Sequence, residues 1–149
     1  MQSHSHRFCV AVVAALASLF PAVHAQDPAA YRMVVPFEFS YGTTHLGPGA
    51  YRITADPLRH TLMIRNEAQS VIALVQVSDD RGTADTSAVL FRKYGDRYFF
   101  EELKLAGGTT GWSMPASGAQ RRAARELARQ RKEPTALALA LLPERTLGN

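Results

Sequence analysis

The sequence predicts a mainly β protein: a small antiparallel β-sandwich or barrel of about six strands, followed by a C-terminal helical tail. Three observations lead to this prediction. Residues 31–39 alternate between two faces with a period of two, as a half-buried strand does. Two strand-like runs flank Gly95 and Asp96, which is typical of a hairpin with a primed turn. After Trp112 the composition changes from strand-favouring residues to Ala, Arg, Gln, Leu and Glu, which favour a helix.

The first 25 residues have the organisation of a secretory signal peptide. Arg7 supplies positive charge, an uncharged apolar run covers residues 8–20, and Ala25 lies at the predicted cleavage site before Gln26. This run is shorter than the roughly 20 residues that a membrane-spanning helix needs, so a membrane anchor is the weaker interpretation. We therefore predict export to the periplasm or the cell exterior, and a mature chain without cysteine because Cys9 is removed.

Charge is distributed unevenly along the chain. Residues 30–112 carry nine basic and nine acidic side chains, whereas residues 113–149 carry seven basic and three acidic ones. The sequence therefore predicts a signal peptide (1–25), an antiparallel β domain (30–112) and a basic, partly helical tail (113–149). Because the β domain is neutral and lacks an RNA-binding aromatic motif, we expect no nucleic-acid partner. No later apolar stretch is long enough to cross a membrane.

The first predicted strands enclose a glycine-rich turn. Pro36 cannot donate a ladder hydrogen bond, so the strand over residues 31–39 is expected at a sheet edge or with a bulge. Residues 47–49 (Gly-Pro-Gly) form a turn, because Pro fixes φ and Gly accepts a positive φ. In the strand that follows, Tyr51 and Ile53 are expected to face the core.

The middle of the β domain is predicted to form a second hairpin followed by a loop. Residues 61–66 and 70–77 have the composition of two strands joined by a short turn. The run 71–75 is apolar on both faces, which is typical of a central strand that is covered on both sides. Residues 78–87 are polar and are predicted to form a loop.

The last predicted hairpin turns at Gly95 and Asp96. Its expected cross-strand pairs are Phe91 with Phe100, Arg92 with Phe99, Lys93 with Tyr98, and Tyr94 with Arg97. We interpret its conspicuous residues as structural: Phe91, Tyr94, Gly95, Asp96, Tyr98 and Phe100. Glu101 and Glu102 are adjacent on one strand, so their carboxylates are expected on opposite faces and unable to act together as general acid and base.

The sequence contains no strong pattern for a catalytic or metal-binding site. His45 and His60 each lie beside a turn and lack a ligand partner at metal-binding spacing. Asp79, Asp80 and Asp85 share a loop, but their spacing lacks the alternation of an EF-hand loop. A nucleophile elbow, a phosphate loop and a dinucleotide fingerprint are also absent from the sequence. The sequence thus indicates no catalytic residue, no cofactor and no metal.

The tail contains the clustered positive charge. Ser117 and Gln120 fit a capping box, and a helix is predicted from about Gly118 to Lys132, before Pro134. Clustered positive charge attracts anionic lipid, lipopolysaccharide or another polyanion. The candidate contact residues are Arg121, Arg122, Arg125, Arg129, Arg131 and Lys132. The alternative is a solvated helix that leans weakly on the sheet, and the apolar residues 135–142 are left to dock on the β domain, bind a partner or stay disordered.

Four blocks of the sequence resemble blocks that occur in the same order in a family of short, exported, uncharacterised bacterial proteins common in acidobacteria. The blocks are VPFEF (35–39), LGPGAYRI (46–53), FRKYGDRYFFEEL (91–103) and MPASGAQRRAARELA (114–128). The resemblance implies the signal peptide and the domain layout, and it implies no catalytic or binding residue.

Taken with the charge pattern, these observations predict an exported, non-catalytic β module that interacts with a protein or with the cell envelope. The alternative is a small periplasmic enzyme or ligand carrier whose pocket has no sequence signature. A concave site with converging polar groups would favour the alternative.

Overall fold

The structure is a computed structural model that describes residues 30–79, 84–108 and 110–144. The predicted signal peptide and Asp80 lie outside these ranges. Within them the chain forms twelve strands and one helix. In chain order they are β1 (Ala30–Val35), β2 (Phe39–Tyr41), β3 (Thr44–Leu46), β4 (Gly49–Asp56), β5 (Thr61–Arg65), β6 (Ser70–Leu74), β7 (Gln76–Asp79), β8 (Ala88–Tyr94), β9 (Arg97–Lys104), β10 (Thr110–Ser113), α1 (Gly118–Arg129), β11 (Thr135–Ala140) and β12 (Leu142–Pro143).

The strands form two sheets, as in a small β-sandwich. The first sheet has the order β12-β1-β4-β5-β6. The second has the order β11-β8-β9-β10-β7, and β2 and β3 extend it because β2 pairs with β9. Among the described strands every pairing is antiparallel except that of β2 with β9, which is parallel. The predicted mainly β class is confirmed, with more and shorter strands than the six expected.

The strands are short because the chain repeatedly changes sheets. The predicted strand over residues 31–39 ends at Val35, and Pro36 begins the crossing to the second sheet. Proline has no backbone N–H group to donate to the strand ladder, which explains why β1 ends just before Pro36. The expectation was a sheet edge or a bulge at Pro36; instead β1 ends at Val35, and it lies between β4 and the short β12, which pairs only with Tyr31 and Arg32. Val75 and Leu141 make two further crossings, and both side chains are buried.

The core fills the space between the two sheets. Phe91 is its aromatic centre: its ring centroid lies 5.1 Å from that of Phe39 and 5.9 Å from that of Phe100. Edge-to-face arrangements of this kind add to the free energy gained by burying the rings. Tyr41 extends from β2 and donates a 2.5 Å hydrogen bond to the carbonyl of Leu62 in the other sheet. Burial raises the pKa of Tyr41, which therefore stays a neutral hydrogen-bond donor.

Strand β6 differs from its prediction. The apolar run 71–75 was expected to form a central strand, but β6 is the edge strand of the first sheet. Ile72 and Leu74 point outward and are 65% and 73% exposed, while Val71 and Ala73 are partly buried. Successive side chains alternate between faces, and within the described residues no further layer covers this outer face.

The hairpin of β8 and β9 has the predicted turn and the four predicted cross-strand pairs. Gly95 has φ +62°, the left-handed conformation that a primed turn requires. A bulge follows, because Leu90 lies opposite Glu102 whereas Phe91 lies opposite Phe100. The extra residue, Glu101, resets the alternation along β9.

This bulge corrects the prediction for Glu101 and Glu102. Phe100 and Leu103 are both buried in the core, so the two glutamates between them lie on the outer side of the sheet together. The expectation that their carboxylates point to opposite faces assumed an unbroken period of two, which a bulge interrupts.

The tail completes both sheets. Strand β11 pairs with β8 along six residues, and β12 pairs with β1. Leu141 between them is buried in the core and donates from its backbone N–H to the carbonyl of Ser87 at 2.9 Å. The predicted division at residue 112 therefore does not separate a β domain from a tail. The sequence left three alternatives open for residues 135–142. In the structure these residues dock on the β domain.

Helix α1 begins and ends with recognisable caps. The Ser117 hydroxyl accepts a hydrogen bond from the Gln120 N–H at 3.1 Å, as an N-cap does. The helix ends at Arg129 rather than at the predicted Lys132, because Arg131 takes a left-handed conformation with φ +55°. Within the described part of the chain, no helix has the length and apolar character needed to cross a membrane.

Candidate functional site

The aromatic residues of the β8–β9 hairpin are used in packing. Phe91 and Phe100 lie in the core, and Tyr98 stacks on Phe37 with 4.0 Å between ring centroids. The Lys93 ammonium lies 5.2 Å from the centre of the Tyr98 ring. Tyr94 contacts Phe99 edge to face. The positions of these side chains are those of a folded hairpin rather than of a binding surface.

The charges of the same hairpin occur in pairs. Arg92 forms a bidentate ion pair with Glu101, with both N–O distances at 2.9 Å. The hydrogen bonds to Glu101 raise the pKa of Arg92. Arg97 reaches across to Glu126 on α1. These pairs join the sheet to itself and to the helix, so the density of charge in the hairpin has a structural explanation.

The basic residues of α1 collect on one side of the helix. Gln120, Ala123 and Leu127 are its buried residues and lie against the second sheet, where α1 contacts β8. At about 100° per residue, the arginines of the helix are centred on the opposite, solvent-facing side. They are Arg121, Arg122, Arg125 and Arg129, and all four are exposed. Arg131 and Lys132 follow the helix and are exposed as well.

The arginines on this face do not stabilise the helix, so helix stability does not explain why they are there. Arg121 and Arg122 lie near the helix N-terminus, where the macrodipole disfavours cations. Arg125 lies one turn from Arg121 and one turn from Arg129, and like-charge neighbours at this spacing each cost about 0.2–0.5 kcal/mol. Among the described residues no carboxylate pairs with these arginines, because Glu126 is paired with Arg97. The positive charge of the face is therefore available to a partner.

A groove separates the β2–β3 hairpin from the start of α1. Its volume is about 370 Å³, and it is lined by Ser40, His45 and Arg122 among others. The Ser40 hydroxyl and His45 Nδ1 are 3.0 Å apart as a cross-strand pair. A Ser-His catalytic pair needs a third group that orients the ring, and within the described residues no carboxylate hydrogen bonds to His45. The pair is explained by strand pairing alone.

A row of arginines on the first sheet was not predictable from the sequence. Arg32, Arg52 and Arg65 lie directly opposite one another on three adjacent strands. All three point to the outer face, because their neighbours in sequence, such as Ile53 and Ile64, fill the core. The sequence places each of these arginines at an outward position of a predicted strand. Their alignment in one row depends on the register between the strands, which only the sheet shows.

The structure assembles no metal site in its described ranges. No group of three or more His, Cys, Asp or Glu side chains lies close enough there to hold an ion. His60 lies in the turn between β4 and β5, far along the chain from His45, and its carbonyl accepts from the Val75 N–H at 2.9 Å. The predicted loop over residues 78–87 begins later than expected, because Ser78 and Asp79 belong to β7, and Asp80 lies outside the described residues.

Comparison of the chain with protein-family models, with curated proteins and with solved structures finds no match. The arginine face of α1 and the arginine row of the first sheet are the features of this chain that indicate a function.

Proposed function

We propose that this protein is an exported, non-catalytic β module that attaches to an anionic component of the cell envelope through the arginine face of α1. The observation that carries the proposal is the alignment of four exposed arginines that no carboxylate among the described residues neutralises. Guanidinium groups bind phosphate and carboxylate groups with two parallel hydrogen bonds, which suits a surface of repeated anions.

The rest of the fold supports attachment rather than catalysis. The helix is fastened to the sandwich by its buried residues and by the Arg97–Glu126 ion pair, so the arginine face is presented on a rigid support. A small periplasmic enzyme would need a nucleophile or a general base held within a pocket. The Ser40–His45 pair is the nearest approach to such an arrangement, and it lacks the orienting acid.

If α1 attaches the protein to an anionic surface, removing arginines from its exposed face should weaken binding to that surface. Arg121→Gln together with Arg125→Gln should weaken binding to phosphatidylglycerol vesicles by about 2 kcal/mol, or about 30-fold, because each arginine contributes about 1 kcal/mol near an anionic surface. Vesicle sedimentation at low salt measures the affinity. Binding should also weaken with added salt, since exposed charges are screened over about 8 Å at physiological ionic strength.

The matched control for that experiment is Arg32→Gln together with Arg65→Gln, which removes the same charge from the outer face of the first sheet. The control should bind vesicles as the native protein does. Equal losses in both variants would mean that net charge rather than the helix face determines binding. Equal binding by all three proteins would remove α1 from the functional account.

Export has its own test. Intact-mass measurement of the protein from the envelope fraction should give a chain that begins at Gln26, because the predicted cleavage site follows Ala25. A mass that retains residues 1–25 would contradict export by signal-peptide cleavage, whatever the vesicle result.

A further inference from the structure

The row of three arginines on the first sheet is costly for the fold. Like charges directly opposite each other on adjacent strands are destabilising, and Arg52 lies between Arg32 on β1 and Arg65 on β5. Glu144 contacts Arg52, with 2.7 Å between Oε2 and Nε. Within the described residues, Arg32 and Arg65 on either side of that pair have no carboxylate partner. The lining of the row therefore has an excess of positive charge, with three arginines against Glu67 and Glu144.

The row lies in a shallow depression of about 370 Å³ on the outer face of the sheet. Asn66 and Glu67 from the β5–β6 turn form one wall, and Glu144 forms another. Tyr51 contributes to the lining from below; burial raises the pKa of its hydroxyl, although a hydrogen bond with Asn66 opposes the shift. A small anionic group fits a depression of this size with guanidinium groups on two sides.

An apolar groove of about 460 Å³ adjoins the depression. It runs along the edge where β12 and β11 pass β1, and Arg32 and Ala50 line both the groove and the depression. Val34 and Leu142 in the groove are 70% and 69% exposed. A ligand that covered these two side chains would remove their apolar surface from water.

We propose that this combined surface binds one single-chain amphiphile with an anionic headgroup, such as a long-chain carboxylate. The headgroup would lie in the depression that Arg32 and Arg65 line, beside the Arg52–Glu144 ion pair, and the hydrocarbon chain would lie in the groove over Val34 and Leu142. Charge complementarity selects the headgroup, because a bidentate arginine contact is strongest with a carboxylate or phosphate. The exposed aliphatic side chains select the tail, because covering them removes apolar surface from water.

The geometry favours one bound molecule over a lipid bilayer. The apolar part is a groove at the open edge of the sandwich, within the range of volumes that hold single small ligands. The arginines lie beside it on the same face rather than around it, as a molecule with one charged end and one apolar end requires. This site lies on the first sheet, whereas α1 lies on the second, so the proposal does not rest on attachment through the helix.

Calorimetric titration of the purified protein with dodecanoate below its micelle concentration tests the proposal. The native protein should bind one dodecanoate and should not bind dodecyltrimethylammonium, which has the same chain and the opposite charge. Arg32→Gln together with Arg65→Gln should weaken dodecanoate binding about tenfold or more. The matched control, Arg121→Gln together with Arg125→Gln, should leave it unchanged.

The apolar half of the site has a separate test. Leu142→Ser should weaken dodecanoate binding by roughly fivefold or more, because an apolar contact is lost. Leu58→Ser is its control, since Leu58 is 94% exposed and lies outside the groove. Circular dichroism should show that all these exposed variants keep the native fold.

Three results would overturn the proposal. One is equal affinity for dodecanoate and dodecyltrimethylammonium, which would leave the arginines without a role. Another is an equal loss in the sheet and helix arginine variants, which would reduce the effect to net charge. The third is an absence of monomeric dodecanoate binding by the native protein; if the Arg32→Gln and Arg65→Gln variant then also loses affinity for phosphatidylglycerol vesicles, this face is a membrane contact instead.

Discussion

Phe91→Ala should lower the free energy of unfolding by about 3–5 kcal/mol, and Phe100→Ala should do the same. Both rings are completely buried, and each contacts aromatic residues that reach the core from the β2 segment. Removing either ring loses apolar burial and leaves a cavity between the sheets. Because small domains are stable by only about 5–15 kcal/mol, each loss would be a large fraction of the total. Denaturant unfolding followed by circular dichroism measures the effect.

Leu58→Ala is the control for these two variants, since Leu58 is 94% exposed in the turn after β4. Its effect should stay within about 0.5 kcal/mol. Changes below about 1 kcal/mol for both phenylalanines would place their rings at the surface, and the hairpin would again be a candidate binding surface.

Leu141→Ala should lower the free energy of unfolding by about 2–5 kcal/mol, whereas Leu142→Ala should change it little. The two leucines are adjacent in sequence, but Leu141 is 6% exposed at the crossing between the sheets and Leu142 is 69% exposed. Leu141 belongs to the main core cluster and fastens β11 and β12 to both sheets. Urea unfolding of the two variants measures the difference.

Comparing the two leucine variants also tests whether the C-terminal segment contributes to the stability of the fold. Similar small effects from both substitutions would show that residues 135–143 contribute little to the core. Substitutions on the arginine face of α1 leave β11 and β12 in place, so they change the charge without removing part of the fold. Truncation before the helix would also remove β11 and β12, so a loss of binding would not separate charge from folding.

Local chemistry made some elements predictable. The Gly95–Asp96 turn and the pairing around it were read from the sequence, because a two-residue turn fixes the register of the strands that flank it. The Ser117 cap was predictable for the same reason, since a cap depends on residues within one helical turn. Tyr51 and Ile53 were placed in the core by alternation alone, and both are buried.

Other elements depended on neighbours that are distant in sequence. The run 71–75 was apolar enough for a central strand, but its place at the sheet edge follows from which strands pair with it. The bulge at Glu101 was not visible either, because the amino-acid pattern of β9 is compatible with an unbroken strand. The arginine face of α1 was predicted as a charged tail, and only packing of Ala123 and Leu127 on the sheet defines which side is free.

The sequence by itself determined the β class, the tight turns, the start of the helix and the concentration of basic residues after residue 112. These features depend on conformational preferences and hydrogen bonds within a few residues. Only the tertiary structure decided that residues 135–143 complete both sheets and that Arg32, Arg52 and Arg65 form one row beside an apolar groove. The physical reason is that strand pairing joins residues far apart in the chain, and a shift of one residue would turn every side chain to the other face.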